Sequence, residues 1–202
     1  MVFGLCLVPL SLLLLDGFQG RLGANPVETI THATGLWGLR LLLLTLGITP
    51  LRRMFGWNRL IAYRRMLGLF AFFYGSLHLS TYLVFDQFFD LRAIWEDVLE
   101  RPYITLGFSA FVLLVPLAVT STNGWIRRLG KRWVTLHKLI YPAAILVIAH
   151  FLWLVKADYR EPGIYALILA LLLGFRLLPV HTGKRRRSRT AQAKGAMGRV
   201  AR

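Results

Sequence analysis

Six stretches of this chain are apolar and approach or reach the length that a helix needs to cross a lipid bilayer. They lie near residues 3–18, 32–49, 66–85, 103–120, 134–155 and 163–179. A spanning helix needs about 20 predominantly apolar residues, because each residue adds only about 1.5 Å along the axis. The sequence therefore predicts an all-α fold, a polytopic membrane bundle of six transmembrane helices.

Charged residues are divided unevenly between the two sides of this predicted bundle. When the connecting segments are assigned alternately to the two sides, all nine acidic residues fall on one side. Arginine and lysine are concentrated on the other side, at 52–65, at 127–132 and in the tail that follows Leu178. Because an excess of Lys and Arg marks the cytoplasmic face, both termini are predicted to be cytoplasmic and the acidic loops to lie outside.

The net charge of +16 is explained by this topology, so no nucleic-acid partner is expected. Residues 1–180 form the predicted transmembrane domain, and residues 181–202 form a basic cytoplasmic tail that is expected to be disordered. The tail is interpreted as a solvated topology signal that can also touch the headgroups of membrane lipid. Residues 1–15 lack a basic start and a small-residue cleavage site, which favours a retained first helix over a signal peptide.

Few kinds of chemistry are open to this chain on its own. Cys6 is the only cysteine, so an internal disulfide framework, an iron–sulfur cluster and a thiolate zinc site are excluded. The sequence contains no phosphate loop, nucleophile elbow, zinc motif or dinucleotide fingerprint. No internal repeat is evident either. Electron transfer is the chemistry that these observations leave.

Three histidines lie inside predicted spans: His78 in the third, and His137 and His150 in the fifth. A metal-binding, ionisable side chain is costly in a bilayer and is usually retained for function. His78 and His150 lie about seven and about five residues from the outer ends of their spans, so their depths match within about one turn. They are predicted to be the axial ligands of one haem iron near the outer leaflet. The alternative is a pair of buried imidazoles satisfied by hydroxyl or backbone groups.

His137 and His150 cannot bind the same iron. They are 13 residues apart, which places them roughly 20 Å apart along a straight helix. The same step turns one ring about 140° away from the other, so both face the bundle centre only if Pro142 kinks or rephases the helix. A second metal ligand, a quinone contact and an interfacial residue all stay open for His137.

Small residues lead along one stripe of the third span towards His78. The stripe comprises Arg64, Gly68, Ala71, Gly75 and His78. Small residues in such a position indicate either close helix packing or a slot for a flat macrocycle beside the histidine.

Arginines provide candidate anion contacts. Arg64 and Arg65 lie level with His137, where a symmetric cytochrome with two stacked haems would carry a fourth histidine. The pair suits a flavin phosphate or haem propionates. Arg40 is the one charge well inside a span, and a haem propionate, a flavin phosphate and a quinone carbonyl are all open as its partner.

Several strings together closely resemble the MsrQ (YedZ) family, which belongs to the ferric-reductase-like transmembrane group of haem proteins. They are LGANPVE, ITPLRR, YRRMLGLFAFFYGSLHLSTY, RPYITLG, PLAVTSTNGW and LHKLIYPAAILVIAHFLWLVKAD. The resemblance runs from about residue 5 to about residue 178 and implies a subunit of the bacterial inner membrane. Such a subunit takes electrons from the quinone pool, carries haem b and FMN, and reduces a periplasmic molybdopterin-containing methionine sulfoxide reductase, an MsrP-like partner.

The resemblance also implies roles for individual residues. The family's haem histidines match His78, His137 and His150, and its FMN site matches Arg64 and Arg65. The partner is expected to dock on the acidic outer loops. Two other functions stay open: a transmembrane metal (ferric) reductase of the same superfamily, and a colourless transporter or anchor whose histidines pair with polar groups.

Overall fold

The computed structural model describes residues 1–155 and 157–177, and within these ranges it is all-helical, with no β-strand. The nine α-helices of the described ranges are α1 (Val2–Phe18), α2 (Pro26–Phe55), α3 (Ile61–Thr81), α4 (Leu91–Glu100), α5 (Pro102–Val119), α6 (Asn123–Leu129), α7 (Lys131–Leu136), α8 (Ile140–Leu154) and α9 (Arg160–Leu177). Short 3₁₀ turns cover Asn58–Leu60 and His137–Leu139, and a π-helical turn covers Tyr82–Asp86. The predicted tail, residues 181–202, lies outside the described residues.

Four helical stretches are long and apolar enough to cross a membrane. They are Pro26–Phe55, Asn58–Asp86, Pro102–Val119 and Lys131–Leu154, and they correspond to the second to fifth predicted spans. The first and sixth predicted spans are also helical, as α1 and α9. α1 is apolar but has 17 residues, and α9 has 18 residues, of which Arg160, Glu161 and Arg176 are charged.

Two helix pairs form the centre of the bundle. α2 packs mainly on α3, and α5 packs mainly on α8, while α1 and α9 flank these pairs. The backbones of α2 and α3 approach closely at Gly38, where a Cβ atom would lie 3.4 Å from the Gly75 nitrogen and 3.5 Å from the Ala71 oxygen. The small-residue stripe of the third span therefore packs against α2, which is the first of the two interpretations given above.

A tyrosine holds α1 against this core. The Tyr74 side chain is 1% exposed, and its hydroxyl donates to the Cys6 carbonyl at 2.8 Å and accepts from the Leu10 N–H at 3.2 Å. The hydroxyl thus joins two backbone groups one helical turn apart. Because a buried phenol needs a hydrogen-bond partner, this contact fixes α1 on α3.

The fifth predicted span is interrupted near Pro142. Proline has no N–H and its ring crowds the carbonyl four residues earlier, and a 3₁₀ turn at His137–Leu139 separates α7 from α8. Three residues at the tighter 3₁₀ pitch reduce the angle between His137 and His150 from about 140° to about 80°. The helix therefore changes its phase next to Pro142, which was the condition named above for both rings to face the bundle centre.

The segment between α3 and α5, which was predicted from the sequence to be an acidic loop, contains a helix. α4 begins after Asp90, whose side chain accepts from the N–H groups of Arg92 and Ala93. Asp97 on α4 accepts from Tyr82 at 3.0 Å, from Gln87, and from Arg101 at 3.1 Å. α4 is thereby tied to the C-terminal end of α3 and to the N-terminal end of α5.

Candidate metal centre

His78 and His150 face each other between α3 and α8. Their ring centroids are 6.0 Å apart, and the ring planes are inclined at 76°. Two metal–imidazole bonds of about 2.0–2.1 Å, with about 1 Å from each ligating nitrogen to its ring centre, require a separation of about 6 Å. The observed spacing therefore fits one metal ion between the two rings.

Backbone carbonyls of neighbouring helices orient both rings. Nδ1 of His78 lies 2.9 Å from the Thr31 oxygen on α2, and Nδ1 of His150 lies 2.7 Å from the Tyr103 oxygen on α5. Because a carbonyl only accepts, Nδ1 carries the proton and donates it in both cases. The lone pair of each ring is then on Nε2, the arrangement that histidine ligands of metals adopt.

Glycines make room for these rings. A Cβ atom at Gly35 would lie 3.0 Å from Nδ1 of His78, and one at Gly107 would lie 2.9 Å from Nδ1 of His150. Each imidazole therefore occupies the space that a side chain on the neighbouring helix would fill. Only glycine permits so close an approach at these two positions.

The two half-sites have the same internal spacing. Each histidine follows its carbonyl partner by 47 positions and its glycine by 43. The first set consists of Thr31, Gly35 and His78, and the second consists of Tyr103, Gly107 and His150. Each residue of the second set lies 72 positions after its counterpart in the first set. The glycines, the carbonyl partners and this repeat were not predicted from the sequence, although the shared Gly-to-His spacing was a usable signal.

Arg65 and His137 are also 72 positions apart in the sequence. Both lie at the opposite end of the bundle from His78 and His150. The His137 ring stacks on Trp133 at 3.7 Å between centroids, and its Nδ1 lies 3.1 Å from the Trp133 oxygen. Its Nε2 is buried and has no hydrogen-bond partner among the described residues. A buried imidazole nitrogen in this condition is a candidate ligand for a group absent from the protein chain.

The arginines predicted as anion contacts lie in different surroundings. Arg64 is partly buried and lies near His137, whereas Arg65 is exposed and donates to Asn123 at 2.7 Å. The Arg40 guanidinium is turned towards α9, where it donates to the Tyr165 hydroxyl at 2.8 Å and lies 3.8 Å from a Glu161 oxygen. Arg40 therefore connects α2 to α9.

The donor set favours a macrocyclic metal group over a bare ion. Within residues 1–155 and 157–177, no cluster of three or more His, Cys, Asp or Glu side chains is placed to hold a metal ion. A protein zinc site takes three or four protein ligands, whereas haem iron needs only its axial ligands from the protein. Two opposed imidazoles with oriented Nε2 atoms fit haem.

Comparison with known proteins identifies the family. Residues 34–148 match the family "Ferric reductase like transmembrane component". A protein of Xanthomonas campestris pv. campestris (strain 8004) is 60% identical over 160 residues, which cover 77% of this chain and 72% of that protein. A protein of Rhodospirillum rubrum is 54% identical over 188 residues, covering 93% and 89%. Both carry the name "Protein-methionine-sulfoxide reductase heme-binding subunit MsrQ".

A third protein with that name, from Xanthomonas oryzae pv. oryzae (strain MAFF 311018), is 51% identical over 206 residues, covering 96% of this chain and 93% of the relative. No solved structure matches the chain. The all-helical fold and the four apolar helices fit a multi-pass protein of the bacterial inner membrane. The chain belongs to the MsrQ family of ferric-reductase-like transmembrane proteins.

Proposed function

We propose that this chain is the haem b-binding, electron-transferring subunit of a methionine sulfoxide reductase system. It takes electrons from the quinone pool and delivers them, with FMN and haem b as cofactors, to a periplasmic molybdopterin-containing reductase. That MsrP-like partner reduces methionine sulfoxide in oxidised proteins. The names of relatives that are 51–60% identical support the system, and the opposed histidines support the haem.

The geometry of His78 and His150 carries the proposal. A bound haem supplies a one-electron carrier whose iron needs two axial ligands. The Thr31 and Tyr103 carbonyls hold the protons on Nδ1, so each ring presents Nε2 without a proton shift. Four different helices, α2, α3, α5 and α8, therefore fix the site, which limits reorganisation when the charge on the iron changes.

We propose that the other end of the bundle holds the second set of cofactor contacts. His137 offers its buried Nε2, and Arg64 and Arg65 offer guanidinium groups for a flavin phosphate or for haem propionates. FMN supplies the exchange between a two-electron donor such as quinol and one-electron carriers. Arg40 is a further candidate for a propionate, phosphate or quinone contact, because its groove is also lined by His32 and Trp37.

The proposed topology has six crossings, with both termini in the cytoplasm. α1 and α9 are the first and last crossings, flanking the four longer apolar stretches. Arg52, Arg53 and Arg59 then lie inside, while α4 and its carboxylates lie outside. Residues 1–180 make up this domain, and residues 181–202 are the basic cytoplasmic tail, which acts as a topology signal.

The partner is proposed to dock on the exposed acids of the outer surface. Glu96 and Glu100 on α4 are exposed, whereas the Asp97 side chain is only 13% exposed and is already bound by Arg101. Exchange of Glu100 for Lys should slow reduction of the partner at low salt, because a docking contact between charged surfaces is screened by salt. An unchanged rate would place the docking surface elsewhere.

Cofactor analysis combined with a reduction assay tests the function. The purified protein should contain haem b and FMN, and a reduced quinone analogue should reduce the haem and then, through it, the added periplasmic reductase. His150→Ala should abolish haem reduction. A colourless protein would instead support a transporter or anchor, and reduction by a nicotinamide-dependent donor with release of electrons to ferric iron would support the metal reductase.

A further inference from the structure

Arg176, in the last turn of α9, is held between three helices. Its Nη2 donates to the Leu46 carbonyl on α2 at 2.7 Å, and its guanidinium lies 5.1 Å from the ring centre of Tyr141 on α8. Sequence analysis gave this residue no role.

A proline explains why the Leu46 carbonyl is available. In a regular helix that oxygen accepts from the N–H four residues later, but residue 50 is proline and has no N–H. Arg176 replaces the missing donor. This bond fixes the position of the guanidinium and leaves its other nitrogens for a second acceptor.

One of those nitrogens is unsatisfied. Nη1 of Arg176 is buried and has no hydrogen-bond partner among the described residues. A buried N–H group of a charged side chain without an acceptor is costly, and such groups in folded proteins usually mark an ion or water that binds there. An acceptor is therefore expected beside Nη1.

No carboxylate side chain among the described residues forms an ion pair with Arg176. Its nine acidic residues all lie outside the neighbourhood of Arg176 in the proposed topology; they are Asp16, Glu28, Asp86, Asp90, Glu96, Asp97, Glu100, Asp158 and Glu161. The charges near Arg176 are instead those of Arg53 and Arg64. In the described part of the chain, the ion pairs that form involve other arginines. Among the described residues, the buried Nη1 of Arg176 therefore has no acidic side chain as a counter-charge, which favours an external anion at this position.

We propose that Arg176, with Arg53 and Arg64, forms a binding site for a phosphate group. Guanidinium groups bind phosphate through paired N–H donors, and three of them match an anion of more than one negative charge. Two sources carry this chemistry at the inner face of a membrane: the phosphate of FMN and the headgroup of an anionic phospholipid. With FMN as the source, the site rests on the flavin proposed above; with a lipid as the source, it does not.

Two pairs of probes distinguish the sources. FMN and phosphate-free riboflavin are titrated by flavin fluorescence against haem-loaded protein in neutral detergent and phosphate-free buffer. Phosphatidylglycerol and zwitterionic phosphatidylcholine are compared by native mass spectrometry. Arg176→Gln removes the paired donors, and Arg127→Gln is the matched control, because Arg127 is an exposed arginine of α6 on the same side.

Arg176→Gln should weaken binding of FMN or of phosphatidylglycerol by about tenfold, with riboflavin unchanged. Arg127→Gln should change neither probe by more than about twofold. An effect on FMN identifies the flavin phosphate, and an effect on phosphatidylglycerol alone identifies a lipid headgroup. If Arg176→Gln does not fold, exposed Arg53→Gln replaces it and should weaken the same probe by about threefold.

Unchanged affinities for both phosphate-bearing probes, in variants with a normal haem spectrum, would overturn the phosphate site and leave the proposed function intact. Absence of haem from the unmodified chain and from every variant would overturn the proposed function. In that case the lipid comparison still tests the phosphate site by itself.

Discussion

A Cβ atom placed on Gly107 would lie 2.9 Å from Nδ1 of His150. The imidazole of α8 therefore fills the side-chain position of α5, and the Tyr103 carbonyl four residues earlier on α5 binds the same nitrogen. Gly35 and Thr31 of α2 stand in the same relation to His78. In each case the helix opposite the histidine sets both the position and the protonation of the ring.

Gly107→Ala should displace the His150 ring and weaken haem binding by about tenfold, the scale on which contacts behind a metal ligand act. Gly174→Ala is the matched control, because no atom lies within 4 Å of a Cβ at that helical position. Haem per chain, measured after purification with and without added hemin, reports the effect. Equal haem content in the two variants would show that the glycine is not needed for the site.

His137→Ala should leave the haem between His78 and His150 in place. His137 is near Arg64, at the opposite end of the bundle from His78 and His150. Loss of the His137 ring therefore removes only the cofactor contact proposed at that end. The visible spectrum should keep the low-spin bands of a haem held by His78 and His150, and haem or flavin per chain should fall. A complete loss of these bands would contradict the proposal that His78 and His150 hold this haem without His137.

The sequence predicted the helices that carry the candidate site because burial in a bilayer requires long apolar runs. It also matched His78 with His150 through their depth, a quantity that follows directly from helix rise. The carbonyl partners could not be predicted, because they depend on the register and tilt of α2 against α3 and of α5 against α8. That these histidines bind haem stays a prediction.

α4 was missed for a different reason. Its 10 residues are too few for a span and are rich in charge, so the segment resembled a loop. Yet Leu91, Trp95 and Leu99 recur at four-residue intervals after Asp90, a pattern typical of an amphipathic helix with an N-cap. The mid-span charge Arg40 was recognised, but its contacts with Tyr165 and Glu161 on α9 depend on tertiary packing.

Asp97→Asn should loosen the contacts of α4 with the adjoining ends of α3 and α5. The carboxylate accepts from Tyr82, Gln87 and Arg101, and the loss of its charge should lower the local stability by about 2 kcal/mol. Hydrogen exchange of residues 87–101 should become faster. Glu96→Gln is the control, because Glu96 pairs with the exposed Arg92 in the described part of the chain. If hydrogen exchange became equally fast in the Glu96→Gln variant, this role of Asp97 would be contradicted.

Tyr165→Phe should destabilise the contact between α2 and α9. It removes the hydroxyl that accepts from Arg40 at 2.8 Å, a loss of about 1 kcal/mol in the free energy of unfolding. Thermal unfolding in detergent measures the effect, with exposed Tyr159→Phe as the control. A shifted haem spectrum in Tyr165→Phe would instead place Arg40 in contact with the cofactor.

The most direct test of the central claim is electron paramagnetic resonance of the oxidised protein, compared with its His78→Ala and His150→Ala variants. Ring planes inclined at 76° predict the highly anisotropic low-spin signal of nearly perpendicular axial imidazoles, and each variant should lose it. Retention of that signal and of full haem in both variants would contradict the assignment of His78 and His150 as the axial pair.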